Sequence, residues 1–318
     1  MMRWLFSIVL WLVLTGVAQA NPQSFEQWLK QLRIEAQQRG IAPSTLDASF
    51  AGVAPIPRVL ELDSSQPEFT MTFDQYIERV VSPARVEQGK KLFKQHKAQI
   101  AAIAQQYGVP AKLIVALWGV ESNFGQRQGD YSVIAALATL AYDGRRAGYF
   151  RTELFNALRI VNDGHIRPEE MKGSWAGAMG QCQFMPSSYL KLAVDHDGDG
   201  RRDIWNSLPD VFGSIANYMH TVGWKGDQLW GREVSAPPQI GIARLRGTKR
   251  TVSQWSKLGL RKSDGGELPA SEIRAELVQG GESNRYFLVY DNFKTILAWN
   301  NSRFFALAVG LLADRVED

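Results

Sequence analysis

Glu121 closes the apolar run 113–120 and stands just before Ser122-Asn123-Phe124-Gly125. On a helix, Leu113, Leu117 and Glu121 share one face, because residues four apart stack over one another. A carboxylic acid that continues a leucine stripe is drawn out of water. Its neutral form is then favoured, its pKa rises, and it is prepared to give up a proton near pH 7. The plainer alternative is a solvated glutamate at a helix end. The polar turn that follows weighs against it, since such a turn after an apolar helix opens a cleft mouth.

A second stretch, 174–189, mixes small, polar and aromatic residues. Ser174, Ala176, Gly177, Ala178 and Gly180 let a ligand come close to the backbone. Gln183 offers both donor and acceptor to a sugar amide or hydroxyl, and Trp175 and Phe184 supply rings for sugar faces. An ordinary glycine-rich loop is the competing reading. A third stretch alternates carboxylates at Asp195, Asp197, Asp199 and Asp203, with Gly200 at the sixth position. This is the first half of an EF-hand loop, in which hard oxygen ligands alternate and glycine permits the turn. Arg201 would contribute only its carbonyl, and Asn206 stands where the usual bidentate Glu is expected. A solvated acidic turn, with Asp210 complementing a helix N-terminus, is the alternative.

The elements that must hold these residues are mostly helical. Residues 24–39 carry Phe25, Trp28, Leu29 and Leu32 at helical spacing and stop at Gly40, and Pro43 opens a short second helix. Residues 51–70, with Pro55, Pro57 and Pro67, read as an extended linker, and 73–81 is ambiguous. A helix is expected over 86–107, stopped by Gly108, with Pro110 in the first turn of the Glu121 helix. Others are expected over 131–142, 146–162, 186–194 and 209–222. After Trp230 the texture changes: 240–245 and 286–290 read as strands, with one helical turn over 253–258. Residues 296–312 return to helix.

Composition bounds the rest. Residues 1–20 form a targeting segment: Arg3, an apolar stretch over 4–13, and the small-x-small signal Ala18-Gln19-Ala20. The apolar stretch is short for a membrane span, and no Cys stands at the cleavage point, so the mature chain is expected to be exported without a stable membrane anchor; an N-terminal anchor that stays uncleaved is the alternative. Lys and Arg number 36 against 32 Asp and Glu, and removal of Arg3 leaves a net charge of about +3. That suits contact with an anionic polymer. No dense basic cluster interleaved with aromatics appears, which argues against nucleic acid. Cys182 is the only cysteine, which excludes an internal disulfide framework, and it reads as a buried small side chain. The histidines are scattered, without zinc spacing.

Glu121-Ser122-Asn123-Phe124-Gly125, the signature Gly177 to Ser187 (Gly-Ala-Met-Gly-x-x-Gln-Phe-Met-Pro-Ser) and Ala216-Asn217-Tyr218 closely resemble the lytic murein transglycosylase B family. The likeness covers about 73–224 and 292–309. It implies a mainly α (α+β) protein: a signal peptide over 1–20, an N-terminal helical and linker region over 21–90, and a lysozyme-like catalytic core over 91–231. A small β-containing subdomain over 232–292 and a C-terminal helix over 293–318 returning to the core would follow.

The implied reaction cuts the β-1,4 bond between N-acetylmuramic acid and N-acetylglucosamine in peptidoglycan and leaves 1,6-anhydromuramoyl ends. Glu121 would act first as acid and then as base. A two-carboxylate glycosidase needs a partner at fixed separation, and Asp130 and Asp143 lie in polar or turn contexts. Carried over by the resemblance are Arg145 and Arg146 as an anion-contacting pair. Tyr76, Ser122, Ser174, Gln183, Phe184, Tyr218 and Asn300 carry over as substrate contacts. Trp299 and Phe305 stand where tyrosines are common in the family; stacking survives there, hydroxyl contacts do not. Asp195, Asp197, Asp199, Arg201 and Asp210 would hold a structural Ca2+, with no cofactor for catalysis. Peptidoglycan strands are the implied partner, with penicillin-binding proteins as further ones, for a soluble periplasmic monomer. A hydrolytic muramidase and a non-catalytic peptidoglycan-binding protein are the alternatives.

Overall fold

Three runs that are buried on every side, 113–119, 133–141 and 305–313, become the helices at the centre of the molecule. A helix without a polar face must be covered all round. Leu113, Ile114, Val115, Leu117 and Trp118 are each at most 3% exposed, and burial of each such side chain stabilises by about 1.5–3 kcal/mol. The computed structural model describes residues 23–65, 71–226, 228–237 and 241–317. The expected signal segment over 1–20, Pro67, Pro238 and Ile240 lie outside the described residues.

In chain order the elements are α1 (Phe25–Gln38), α2 (Pro43–Phe50), α3 (Pro57–Ser65), α4 (Phe73–Val80), α5 (Pro83–Gln95), α6 (Lys97–Tyr107) and α7 (Ala111–Ser122). A short strand β1 (Tyr131–Ser132) leads into α8 (Val133–Asp143) and α9 (Ala147–Asn162), and pairs antiparallel with β2 (Lys172–Gly173). Then come α10 (Pro186–Leu192), α11 (Leu208–Thr221), β3 (Gly231–Ser235), β4 (Lys249–Thr251), α12 (Val252–Lys257), β5 (Arg261–Lys262), β6 (Arg274–Gln279) and β7 (Tyr286–Val289). The chain returns through α13 (Asn292–Trp299) and α14 (Arg303–Val316). The expected mainly helical core with a small β-containing insertion is what forms.

Strands β4-β6-β7-β3-β5 make one antiparallel sheet, in which Leu277 faces Leu288 across β6 and β7. Alternation along a strand sends successive side chains to opposite faces. Leu277 and Leu288 accordingly join a small core with Trp255, Val252 and Ala275, while Val278, Phe287 and Val289 join the main helical core. Phe73 on α4 meets Phe287 edge-on at 5.9 Å. The sheet is thus fastened to the helices through one of its faces.

Several expectations about elements are corrected. Residues 57–65 are a helix, not extended linker: Pro57 occupies the first helical position, where its missing N–H costs nothing. The single helix expected over 86–107 is two, broken at His96. Neither Gly nor Pro marks that break; the His96 ring packs edge-on to Phe212 at 5.9 Å and Trp118 at 6.4 Å. The strand expected over 240–245 is a short 3-10 turn at Ile242–Arg244 within its described part. The ambiguous 73–81 segment is α4, opened by a reciprocal capping box between Thr72 and Gln75.

The helix expected over 296–312 is also two, with α13 and α14 meeting at a bend of 118°. Ser302 caps α14 by accepting from the Phe305 N–H at 3.3 Å. Among the described residues no single helix is long and apolar enough to cross a membrane. The two pairs that reach the length together, α6 with α7 and α13 with α14, are bent by 109° and 118°.

Candidate active site

Glu121 occupies the last turn of α7, which ends because Asn123 takes a left-handed conformation at φ 51°. Its side chain retains a part-exposed opening to the surface although protein surrounds it densely. That burial raises its pKa to about 8, against a smaller lowering by a hydrogen bond from Trp299. The negative end of the helix dipole acts in the same direction as burial. The Trp299 indole Nε1 donates to Glu121 Oε1 at 2.5 Å. The bend between α13 and α14 brings Trp299 to this position, and its ring packs on Tyr218 at 4.5 Å and Phe184 at 5.2 Å. Tyr218 donates its hydroxyl to the Ala298 carbonyl at 2.7 Å, which ties α11 to α13. Burial, and then the charge of Glu121, raise the Tyr218 pKa.

Beside Glu121 lies a cavity of about 400 Å³ at the junction of α4, α5 and α7. Among the residues lining it, Glu121 is the only carboxylic acid; Arg79, Arg85, Gln88, Asn123 and Arg127 supply the other long polar groups. A second cavity of about 470 Å³ is lined by Tyr76, Asn300, Phe304 and Phe305. Asp130 and Asp143 are exposed. A larger cavity of about 730 Å³ lies elsewhere, between α2, the end of α9 and the acidic loop. Glu121, the acid shifted toward neutral pH, does not line it, so size alone would misplace the chemistry.

The loop over 174–185 is held against α7 by Gln181, which the sequence reading passed over. Its Oε1 accepts from Trp118 Nε1 at 2.7 Å and its Nε2 donates to the Trp205 carbonyl at 2.8 Å. A Cβ on Gly125 would come within 2.3 Å of Gln181 Oε1, so only glycine fits in this turn, where φ is +80°. The signal in the sequence was a second glutamine two residues before Gln183, inside an otherwise apolar signature.

The anticipated contact residues distribute unevenly. Phe184 and Tyr218 stand with Trp299 at the acid, and Tyr76 and Asn300 share the second cavity. Gln183, at φ 49°, spends its amide N–H groups on the Gln128 and Gly180 carbonyls. The Ser174 hydroxyl accepts from Ala178 N–H at 3.0 Å. Ser122 corrects an expectation: it is fully buried, its hydroxyl donates to the Trp118 carbonyl and accepts from Gly125 N–H, and so it braces the turn rather than facing a ligand. Arg145 and Arg146 are exposed at the α8–α9 turn and both pair with Asp63 of α3, which is 3% exposed. Asp63 was hidden by the reading of 51–70 as linker. Cys182 is buried, its thiol donates to the Val211 carbonyl at 3.6 Å, and burial pushes its pKa up.

In the acidic loop, carboxylate oxygens of Asp195, Asp197 and Asp210 lie within 4.8 Å of one another. Asp210 is fully buried; its two oxygens accept from His196 N–H and Asp203 N–H, each at 2.7 Å, and burial raises its pKa. Asp199 stands outside this group, with Oδ1 accepting from Arg201 N–H at 2.8 Å. A buried carboxylate converging with two others is a donor set that a hard divalent cation fits.

The Transglycosylase SLT domain family matches residues 24–314. The chain is 37% identical over 246 residues to the membrane-bound lytic murein transglycosylase B of Escherichia coli (strain K12), a match that takes in 76% of this chain. The chain spans 66% of that relative's length. SltB3 from Pseudomonas aeruginosa in complex with NAG-anhNAM-pentapeptide is similar at a TM-score of 0.88 and 43% identity, over 93% of this chain and 80% of that one. The Escherichia coli lytic transglycosylase SLT35 in complex with calcium is similar at a TM-score of 0.74 and 32% identity, over 92% of each chain.

Proposed function

The chain belongs to the Transglycosylase SLT domain family, with the lysozyme-like fold of lytic transglycosylases, and on that premise we propose that Glu121 cuts peptidoglycan as its sole acid and base. The observation that carries this reading is a single buried carboxyl, raised to about 8, at a cavity lined by no second acid. A protonated Glu121 gives its proton to the oxygen between N-acetylmuramic acid and N-acetylglucosamine, and the bond to C1 breaks through an oxocarbenium-like transition state. The resulting carboxylate is stabilised by the Trp299 N–H. It then takes the proton of the C6 hydroxyl of the same sugar, whose oxygen closes on C1. The products are a 4-hydroxyl on one side and a 1,6-anhydro end on the other. Water enters neither, and Glu121 ends protonated as it began.

Tyr218 and Trp299, both part-exposed, offer rings to sugar faces, with the buried Phe184 backing them from the core, and Tyr76, Asn300, Ser174 and Gln183 would contact the same strand. Arg145 and Arg146, fixed by Asp63, offer guanidiniums to acidic groups at the α8–α9 turn. The relative in complex with calcium and the convergent carboxylates support a structural Ca2+ held by Asp195, Asp197 and Asp210 with the carbonyl of Arg201. That cation would add fixed positive charge to the loop and take no part in bond cleavage. Residues 1–20 support export to the periplasm. Glu121→Gln tests the assignment: it should lower release of soluble muropeptides by about 1000-fold or more. Release at the wild-type rate would remove Glu121 from the reaction.

A further inference from the structure

Acid catalysis accounts for Trp299 but not for the buried amide at the opposite end of its helix. Asn292, the first residue of α13, is fully buried, and both polar atoms of its side chain are engaged with one turn. Its Nδ2 donates to the Lys225 and Gln228 carbonyls, and its Oδ1 accepts from Lys225 N–H, each at 2.8 Å. That turn leads from α11 toward β3, so one side chain ties together the two ends of the β-containing insertion. The same turn lies against the approach to the Glu121 helix. A Cβ on Gly226 would come within 2.9 Å of the carbonyl of Gly108, just before α7.

Two helices therefore set out from one turn and meet again at their far ends. The 12 residues of α7 span about 18 Å and carry Glu121 in the last turn; the 8 residues of α13 span about 12 Å and end at Trp299. We propose that Asn292 is a positioning residue for the acid: by clasping the 225–228 turn it sets the direction of α13 and so places the Trp299 N–H on Glu121. The inference rests on the reading of Glu121 as the cleaving acid. A tilt of about 5° at the root of α13 moves its far end by about 1 Å. That is enough to weaken the 2.5 Å hydrogen bond to Glu121 severely. Tyr218, which donates to the Ala298 carbonyl, belongs to α11, and α11 leads into the same turn. The frame thus closes through three helices. A residue of stability alone would leave the Trp299 contact unchanged in any variant that folds.

The test uses Asn292→Ala and Gly226→Ala in the full chain. The first removes the clasp. The second keeps it but presses the turn against Gly108, and Gly226 takes no positive φ that would itself strain alanine. At pH 9 the Trp299 indole N–H resonance, identified by its loss in Trp299→Phe, should move upfield in both variants, toward its position in Glu121→Gln. The kcat should fall by about 5- to 10-fold with KM within about twofold, and the alkaline limb should move to higher pH, as for Trp299→Phe. In a Trp299→Phe background, Asn292→Ala should cost no more than about twofold further. Leu46→Ala opens a cavity in α2, which packs on α8 and α9. It controls for lowered stability and should move neither resonance nor limb. An unmoved resonance and limb in the folded variants overturn the role, as does the full loss repeated without Trp299, or the same changes in Leu46→Ala. If Asn292→Ala does not fold, Gly226→Ala decides by the same readouts. Wild-type cleavage by Glu121→Gln would strike the acid assignment instead, while the resonance still reads the frame.

Discussion

Trp299 Nε1 donates to Glu121 Oε1 at 2.5 Å, across 178 positions of sequence. Two opposing demands meet in this contact. Burial keeps Glu121 protonated at neutral pH, as a proton donor requires, whereas the indole N–H favours the carboxylate that must exist halfway through the reaction. Burial dominates, which leaves the pKa at about 8.

The rate should therefore fall as pH rises through about 8, because the proton donor is lost. Trp299→Phe keeps a ring and removes the donor. Its alkaline limb should move to higher pH, and kcat should drop by about 10- to 100-fold, the worth of one hydrogen bond to a charged group. A pH–rate profile of both proteins checks this; an unmoved limb would separate Trp299 from the titration.

Stability should carry the same signature. The folded pKa of Glu121 lies above its unfolded value of 4.5, so between these values the folded state binds more protons, and stability declines as pH rises. The penalty is absent well below pH 4.5 and complete above about 8. Glu121→Gln removes it, and should be more stable than wild type by about 5 kcal/mol at pH 8.5 but nearly equal at pH 4. Urea denaturation at the two pH values measures the difference.

Gln181 should matter as a brace. Gln181→Ala strands the buried Trp118 Nε1 and the Trp205 carbonyl, at a cost of about 2–4 kcal/mol. Since Trp118 precedes Glu121 on α7 by less than one turn, activity should fall with it. Gln181→Glu, which keeps the acceptor toward Trp118, should retain more stability than Ala in the same denaturation series.

Removal of divalent cation should loosen the 195–210 loop. With Ca2+ at 100 times its dissociation constant, chelation should cost about 2.7 kcal/mol. Asp210→Asn should abolish that calcium-dependent part of the melting temperature and leave muropeptide product identity unchanged. A melting temperature indifferent to Ca2+ would return the loop to a simple acidic turn.

Glu121 was legible from the sequence because its cause is local: a leucine stripe ending in an acid produces the same burial whatever the helix packs against. The signature over 177–187 was legible for a similar reason, since small residues and glycines mark close backbone approach. Trp299 as the donor to Glu121 was not, because a contact over 178 positions depends on a bend at Asn300 to Ser302. In the structure the Ser302 cap marks that bend. Asp63 was missed because three prolines in 51–70 suggested extended chain, although Pro57 at a helix start is favourable. The arginines of the cavity come from three separate segments, α4, α5 and the turn after α7, and no one-dimensional pattern links them.

Digestion of purified sacculi in water enriched in heavy oxygen addresses the sugar's own hydroxyl as attacking group most directly. New termini should be 1,6-anhydro ends, free of label and lighter by one water than reducing ends. Labelled reducing termini as the main product would mean that solvent attacks C1, and would contradict a reaction run by Glu121 alone.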